Sequence, residues 1–124
     1  LAGMFEAKGL LPEAVEAHDH MNDATSAGRG YGVAGGVASA IESCIREYYP
    51  DVEVHIEHAE SLTECKKMLM LAKAGKKNGC LIEGMACPGG CVAGAGTNIP
   101  IPQAVKEVTS FKNAAEEKLP SRED

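Results

Sequence analysis

The chain has 124 residues, of which 44% are hydrophobic and 24% charged, and these fractions are typical of one globular domain rather than of a disordered polypeptide. Its formal net charge of −6, without long basic runs, argues against nucleic-acid binding and against an anionic-membrane surface. No apolar run approaches the roughly 18 to 20 residues that span a bilayer, and we expect a cytoplasmic protein without a membrane segment.

The first residues already have a helical pattern. Leu1, Met4 and Phe5 have helical spacing, and Gly9 marks the end of this short helix. Because the chain starts within such a pattern and without an initiator methionine, we expect a C-terminal piece of a longer polypeptide. Residues 12–30 have little apolar periodicity and predict mostly loop.

A glycine-rich turn then leads into a helix. Over residues 37–48, apolar side chains recur at steps of three and four, and Pro50 ends the pattern. The alternation of Val52, Val54 and Ile56 with charged residues predicts a strand that has one charged, solvent-exposed face.

The strongest helix signal in the chain follows this strand. Ser61 and Glu64 form a capping-box pattern, and the apolar stripe behind them closes near Gly75. Residues 80–82 predict a short apolar strand, which leads into a glycine-rich loop over 83–100. A last amphipathic helix follows this loop and begins at a proline.

Alternating strands and helices predict an α/β fold, with a small, mostly parallel sheet flanked by helices in a single domain over residues 1–124. If a short strand covers residues 28–33, the glycines before Val37 and the loop after Ile82 both follow strands. Functional loops lie at the carboxyl ends of parallel strands, so these two segments are candidates to face one site.

Five cysteines are an odd number in a chain without a secretion signal, so we expect metal binding or burial rather than a disulfide framework. Cys44 and Cys65 fall on apolar helix stripes and Cys80 opens an apolar strand, which favours core packing for all three. Between Cys87 and Cys91, glycines let the backbone curl and turn its amide hydrogens towards bound sulfur. The spacing alone is compatible with a zinc site, an iron–sulfur site or two ordinary thiols.

The neighbours of these two cysteines favour a cofactor cradle. Pro88 biases Cys87 towards an extended conformation that directs its thiol away from the chain path. Gly94 and Gly96 keep the following turn free of side chains, which suits the close approach of an inorganic group. Two cysteines alone do not complete such a site.

Residues 83–96, EGMACPGGCVAGAG, resemble the last cysteine motif of the iron-only (FeFe) hydrogenases. The resemblance implies that Cys87 ligates a four-iron four-sulfur cubane, that Cys91 bridges it to a two-iron subsite, and that Met85 lines this subsite. Residues 31–37, YGVAGGV, are similar to the glycine-rich segment that opens a helix beside the cluster in that family. The further residues implied in cofactor binding are Gly35, Gly36, Pro88, Gly89, Gly90 and Gly94.

The resemblance implies the second lobe of the catalytic domain, with reversible conversion of protons and electrons to dihydrogen in the complete protein. In the family, two more cubane ligands and the proton-relay residues come from upstream motifs. This chain alone is therefore expected to hold no complete cluster and to be inactive. The implied partners are the upstream lobe of the same polypeptide and a ferredoxin-like or flavin electron carrier.

Departures from the family pattern indicate a divergent subgroup. Ala34 stands where threonine is common, residues 95–98 read AGTN in place of glycine–glycine–glutamine–proline, and the chain is shorter between Val52 and Gly79. These departures leave open a non-catalytic hydrogen or redox sensor, or an iron–sulfur scaffold.

Two other patterns suggest different sites. Residues 30–35, GYGVAG, satisfy the dinucleotide-binding fingerprint literally, but no apolar strand precedes them, and a glycine turn that allows close packing is the favoured interpretation. Four histidines suggest a metal site, yet their polar and charged surroundings favour solvated side chains. These histidines are His18, His20, His55 and His58.

Overall fold

A computed structural model describes residues 1–16 and 23–121 of the chain. The N-terminal helix predicted from the sequence is confirmed, and the chain turns after it at Gly9, where φ is +64°. In chain order, the helices and strands of the described residues are α1 (Ala2–Ala7), α2 (Ser26–Arg29), α3 (Gly36–Tyr48), β1 (His55–Glu60), α4 (Leu62–Lys73), β2 (Cys80–Met85) and α5 (Ile101–Asn113). Single 3-10 turns cover Pro12–Ala14 and Cys91–Ala93.

The two strands form a parallel sheet. His55 pairs with Cys80 at one end and Glu60 pairs with Met85 at the other, and α4 makes the crossover that a parallel pair requires. The predicted α/β fold, with a small parallel sheet flanked by helices, is confirmed. Because the strands end level with each other, Glu60 and Met85 mark the carboxyl edge of the sheet.

At the start of α4, one of the two hydrogen bonds of the predicted capping box forms and the other does not. The Ser61 hydroxyl accepts a hydrogen bond from the N–H of Glu64 at 3.3 Å, as predicted. The Glu64 carboxylate, however, accepts from the N–H of Glu60 at 2.9 Å, one residue earlier than a capping box requires. The Ser61 N–H is engaged elsewhere, since it donates to the carbonyl oxygen of Met85 at 2.8 Å.

The strand predicted over residues 28–33 is wrong, because part of this segment belongs to helix α2. The Thr25 hydroxyl caps α2 by accepting from the N–H of Gly28 at 3.2 Å. The Arg29 guanidinium lies 4.3 Å from the centroid of the Phe111 ring in α5, which fixes α2 against that helix. A capped turn of small residues is therefore more favourable here than a strand without a neighbour.

The strand prediction for β1 needs two corrections. Pairing begins at His55, where β2 starts, and Val52 is 53% exposed ahead of it. The face expected to be solvated is partly covered. Ala59 on this face is 2% exposed, and its carbonyl oxygen lies 3.6 Å from the sulfur of Cys65 in α4. Glu57 forms an ion pair with Lys77, which follows α4 in the chain.

The core consists of small side chains. Among the described residues, no large side chain is fully buried, whereas Leu62, Leu69 and Met70 of α4 are 74%, 65% and 62% exposed. No helix among residues 1–16 and 23–121 is long and apolar enough to cross a membrane. The buried hydrophobic residues are Ala27, Ala38, Ala40, Ala59 and Ala104.

Candidate cofactor-binding site

The cysteine loop begins later than predicted. Strand β2 continues to Met85, since its backbone pairs with β1 as far as Glu60, and the loop therefore starts at residue 86 rather than 83. Cys87 is half-buried, and Cys91 is exposed at the first position of a 3-10 turn. Both thiols are free.

Gly89 and Gly90 shape the turn between the cysteines. Their φ angles are +95° and +89°, in a region that side-chain-bearing residues rarely adopt. The N–H of Gly90 donates to the carbonyl oxygen of Cys87 at 2.9 Å, which closes the turn. A Cβ atom at position 90 would lie 2.5 Å from the backbone nitrogen of Ala34. Glycine is thus required at position 90 by conformation and by close approach.

The glycine turn, residues 30–36, lies directly against the cysteine loop. The N–H of Ala34 donates to the carbonyl oxygen of Gly89 at 3.1 Å, and the N–H of Val92 donates to the carbonyl oxygen of Gly32 at 3.1 Å. The structure therefore brings together the two segments that were predicted to share a site, although only the cysteine loop follows a strand.

A buried carboxylate holds the other side of the glycine turn. Glu83, on β2, has a side chain that is 7% exposed. One of its oxygens accepts from the N–H of Gly35 at 2.6 Å, and the other accepts from Val37 at 3.0 Å and Ala38 at 3.1 Å. The Nδ1 atom of His58 lies 3.2 Å from the carboxylate. Glu83 thereby satisfies N–H groups that the first turn of α3 leaves without helical partners.

This environment keeps Glu83 anionic. Burial raises its pKa, but hydrogen bonds from Ala38, His58, Gly35 and Val37 outweigh that effect and lower the pKa below its ordinary value of 4.5. The N-terminus of α3 is therefore occupied by the protein's own carboxylate. A helix, not a strand, also precedes the glycine turn, and both observations disfavour dinucleotide binding there.

Gly35 and Gly36 allow the chain to enter α3 in this way. Gly35 is the N-cap residue and has a φ of +82°. A side chain at position 36 would overlap the carbonyl oxygen of Gly30. Gly35 and Gly36 thus allow the conformation of the glycine turn, which packs against the cysteine loop.

A second carboxylate contacts the cysteine loop itself. One oxygen of Glu60, the last residue of β1, accepts from the N–H of Gly89 at 2.7 Å. The amides of Gly89 and Gly90 were predicted to turn towards bound sulfur, but they donate to Glu60 and to the carbonyl oxygen of Cys87. These two amides fix the shape of the loop.

Sequence reasoning missed three residues of this region. The sequence does contain an indication for Glu83. An acidic residue directly after three apolar strand residues needs hydrogen-bond donors for its carboxylate once the strand is buried. His58 was predicted to be solvated, and its side chain is 48% exposed yet contacts Glu83. Glu60 gave no local signal, since its contact depends on strand pairing. His55 and Glu53 form an exposed pair, as expected of a solvated histidine, and His18 and His20 lie outside the described residues.

The other three cysteines are placed differently from the pair in the loop. Cys44, Cys65 and Cys80 are free and half-buried, on α3, α4 and β2 respectively. The Cys65 sulfur lies 3.6 Å from the carbonyl oxygen of Ala59, which is a packing position between α4 and the sheet. Cys65 therefore packs against the sheet, but none of the three thiols belongs to the fully buried core that was predicted for them.

The donors of the cysteine loop fit part of an iron–sulfur site. Thiolates are the ligands that such clusters require, and the loop offers Cys87 and Cys91. A Cβ atom at position 94 would lie 3.9 Å from the Cys87 sulfur, so Gly94 keeps space open beside this thiol. Among residues 1–16 and 23–121, no group of three or more His, Cys, Asp or Glu side chains is placed to hold a metal ion. A cluster at this loop needs ligands from outside the described region.

Comparison with known protein families agrees with this chemistry. The family described as "Iron only hydrogenase large subunit, C-terminal domain" matches residues 1–95, which include the glycine turn, both strands and both cysteines of the loop. A search of curated proteins found no match. Because the family match extends over more than half of the 124 residues, the chain belongs to the C-terminal domain family of the iron-only hydrogenase large subunit.

Proposed function

We propose that this chain is the cofactor-holding C-terminal lobe of an iron-only hydrogenase, in which Cys87 and Cys91 are two of the protein ligands of the active-site iron–sulfur cluster. The observation that carries the proposal is the position of both thiols on a loop that is hydrogen-bonded to the glycine turn and to the end of β1. Preorganised thiolates need no reordering of the loop when they bind metal.

The cluster, when bound, supplies the chemistry of reversible proton reduction and dihydrogen oxidation. The chain contributes the residues around it. Cys87 and Cys91 bind iron, Met85 lines the two-iron subsite, and Gly94 leaves room beside the first thiol. The loop between the two cysteines fixes the position of one sulfur relative to the other, through Pro88, Gly89 and Gly90.

The remaining ligands and the proton-relay residues come from an upstream lobe of the same polypeptide. The exposed apolar side chains of α4 and the small core support this arrangement, because a lobe that packs against another leaves part of its apolar surface uncovered when it stands alone. A ferredoxin-like or flavin protein delivers or accepts electrons. We place the protein in the cytoplasm, where cysteine ligands stay reduced.

Cys91→Ser in the full-length protein, loaded with iron and sulfide, tests the assignment. Loss of this thiolate ligand is expected to abolish dihydrogen turnover and to lower the iron and acid-labile sulfide content per chain. Cys44→Ala is the matched control, because it removes a half-buried thiol on α3 and is expected to keep the wild-type metal content.

Three results separate the alternatives. Wild-type iron content and turnover in Cys91→Ser would contradict the ligand role. Zinc in place of iron and sulfide in the wild-type protein would favour a zinc-stabilised interaction module. A complete cluster without dihydrogen turnover would favour a sensor or scaffold, which is the second function that the departures at Ala34 and at residues 95–98 leave open.

A further inference from the structure

We propose that Glu60 is a positioning residue for the cluster loop and that its negative charge lowers the reduction potential of the cluster. This inference rests on the proposed function, because it requires Cys87 and Cys91 to be cluster ligands. It goes further by assigning a role to a carboxylate on β1, which belongs to neither the cysteine loop nor the glycine turn.

The position of Glu60 follows from strand pairing. Glu60 ends β1 and pairs with Met85, the last residue of β2, so it lies level with the point where the chain leaves the sheet towards Cys87. Residues at the carboxyl ends of parallel strands share one edge of the sheet. This register allows a side chain 29 positions before Gly89 to contact the middle of the cysteine loop.

The contact is short and falls between the two ligands. The Glu60 carboxylate accepts from the N–H of Gly89 at 2.7 Å, which is within the range of charge-assisted hydrogen bonds. Gly89 is two positions from Cys87 and two positions from Cys91. A bond at this residue therefore limits the motion of both thiols.

The peptide groups of Gly89 are held on both sides. Its N–H donates to Glu60, and its carbonyl oxygen accepts from the N–H of Ala34 at 3.1 Å. These two partners come from β1 and from the glycine turn. Because glycine has no Cβ atom, its backbone has wide conformational freedom. The two hydrogen bonds select one conformation of Gly89, in which φ is +95°.

The backbone of Glu60 is itself fixed. Its N–H donates to the Glu64 carboxylate at 2.9 Å, and the next N–H, that of Ser61, donates to the carbonyl oxygen of Met85 at 2.8 Å. Glu60 is thus anchored to the first turn of α4 and to β2. A carboxylate on such a fixed base holds the loop in place rather than following its motion.

The charge of Glu60 adds an electrostatic effect. Reduction adds an electron to the cluster, and a nearby anion disfavours this because like charges repel. Glu60→Gln keeps an oxygen that can accept from Gly89 but removes the charge. Glu60→Ala removes both the charge and the acceptor.

The two variants separate positioning from electrostatics in the full-length, cluster-loaded protein. Glu60→Gln is expected to shift the midpoint potential upwards in an EPR-monitored redox titration while it keeps wild-type iron content. Glu60→Ala is expected to shift the potential upwards as well and to lower the retained iron. It is also expected to speed amide hydrogen exchange in the peptide covering residues 87–91 by roughly 10- to 150-fold, the range for one lost hydrogen bond to a charged group. Glu53→Gln is the matched control, because it removes the same charge ahead of the opposite end of β1, from a side chain that is 85% exposed.

A wild-type potential in Glu60→Gln would overturn the electrostatic role, and unchanged exchange and iron retention in Glu60→Ala would overturn the positioning role. An equal shift of potential in Glu53→Gln would also overturn the specific effect of Glu60. Failure of the proposed function gives a different result, namely wild-type iron content in Cys91→Ser.

Discussion

The carboxylate of Glu83 accepts a hydrogen bond of 2.6 Å from the backbone N–H of Gly35, which lies 48 positions earlier in the chain. This bond joins β2 to the glycine turn, and the glycine turn contacts the cysteine loop through Ala34 and Gly32. The strand that leads into the cysteine loop therefore also holds the turn against which that loop packs. The geometry of the two thiols depends on this closed set of contacts.

Glu83→Gln is expected to destabilise the protein by about 2 kcal/mol, because the amide replaces one of two acceptor oxygens with a donor that faces backbone N–H groups. Chemical denaturation of the full-length protein measures the change. The matched control is Glu47→Gln, an exposed position of α3, the helix whose first turn Glu83 caps, where the change is expected to stay within about 0.5 kcal/mol. Equal effects of the two substitutions would contradict the capping role of Glu83.

The effect of Glu83 should also depend on pH. Its pKa in the folded protein lies below the ordinary value of 4.5, so the folded state binds this proton less readily than the unfolded state does. Its contribution to stability is therefore fully present above the unfolded pKa and is lost as the pH falls through the lowered folded pKa. Stability curves for wild type and Glu83→Gln should run parallel near neutral pH and converge below about pH 4.5. A constant difference down to the acid transition would contradict this assignment.

Local patterns predicted the elements better than the contacts between them. The cap at Ser61 and the apolar stripe behind it predicted α4, because helix signals lie within a few neighbouring residues. The motif around Cys87 and Cys91 likewise lies in one short segment, and the family match agrees with it. Patterns of this kind can be recognised in one short segment, without knowledge of the contacts between distant residues.

The contacts that organise the site could not be predicted in the same way. The bond from Gly89 to Glu60 needs the register of β1 and β2, and no local pattern sets which residue of one strand lies level with which residue of the other. The strand predicted over residues 28–33 rests on the expectation that functional loops follow parallel strands, not on an apolar pattern in the segment itself. The cap at Thr25 and the contact of Arg29 with α5 make part of it helical instead.

Gly90→Ala is expected to disrupt the cysteine loop. The new Cβ atom would lie 2.5 Å from the Ala34 nitrogen, and the φ of +89° with ψ of −164° costs a side-chain-bearing residue about 1 to 3 kcal/mol before that overlap is counted. Full-length protein with this substitution should load less iron than wild type. Gly3→Ala is the control, because Gly3 lies in α1, a Cβ there has no neighbour within 4 Å, and the variant should load normally. Equal loading of the two variants would contradict the packing of the loop against the glycine turn.

Ser61→Gly is expected to stabilise the protein. Ser61 has a φ of +96° and a ψ of 152°, a conformation that is nearly restricted to glycine and that costs other residues about 1 to 3 kcal/mol. Replacing an N-cap serine by glycine costs only a few tenths of a kcal/mol, and the added freedom of the unfolded chain costs about 0.5 to 1 kcal/mol more. The relief of strain exceeds these two costs, so Ser61→Gly is expected to stabilise the protein by roughly 1 kcal/mol, measured as a higher denaturation midpoint.

Ser61→Ala is the comparison. It keeps the backbone conformation and loses the cap to Glu64, so it should destabilise the protein by about 1 kcal/mol. A glycine variant that is no more stable than the alanine variant would show that residue 61 is not strained, and that the hydroxyl cap alone determines its effect.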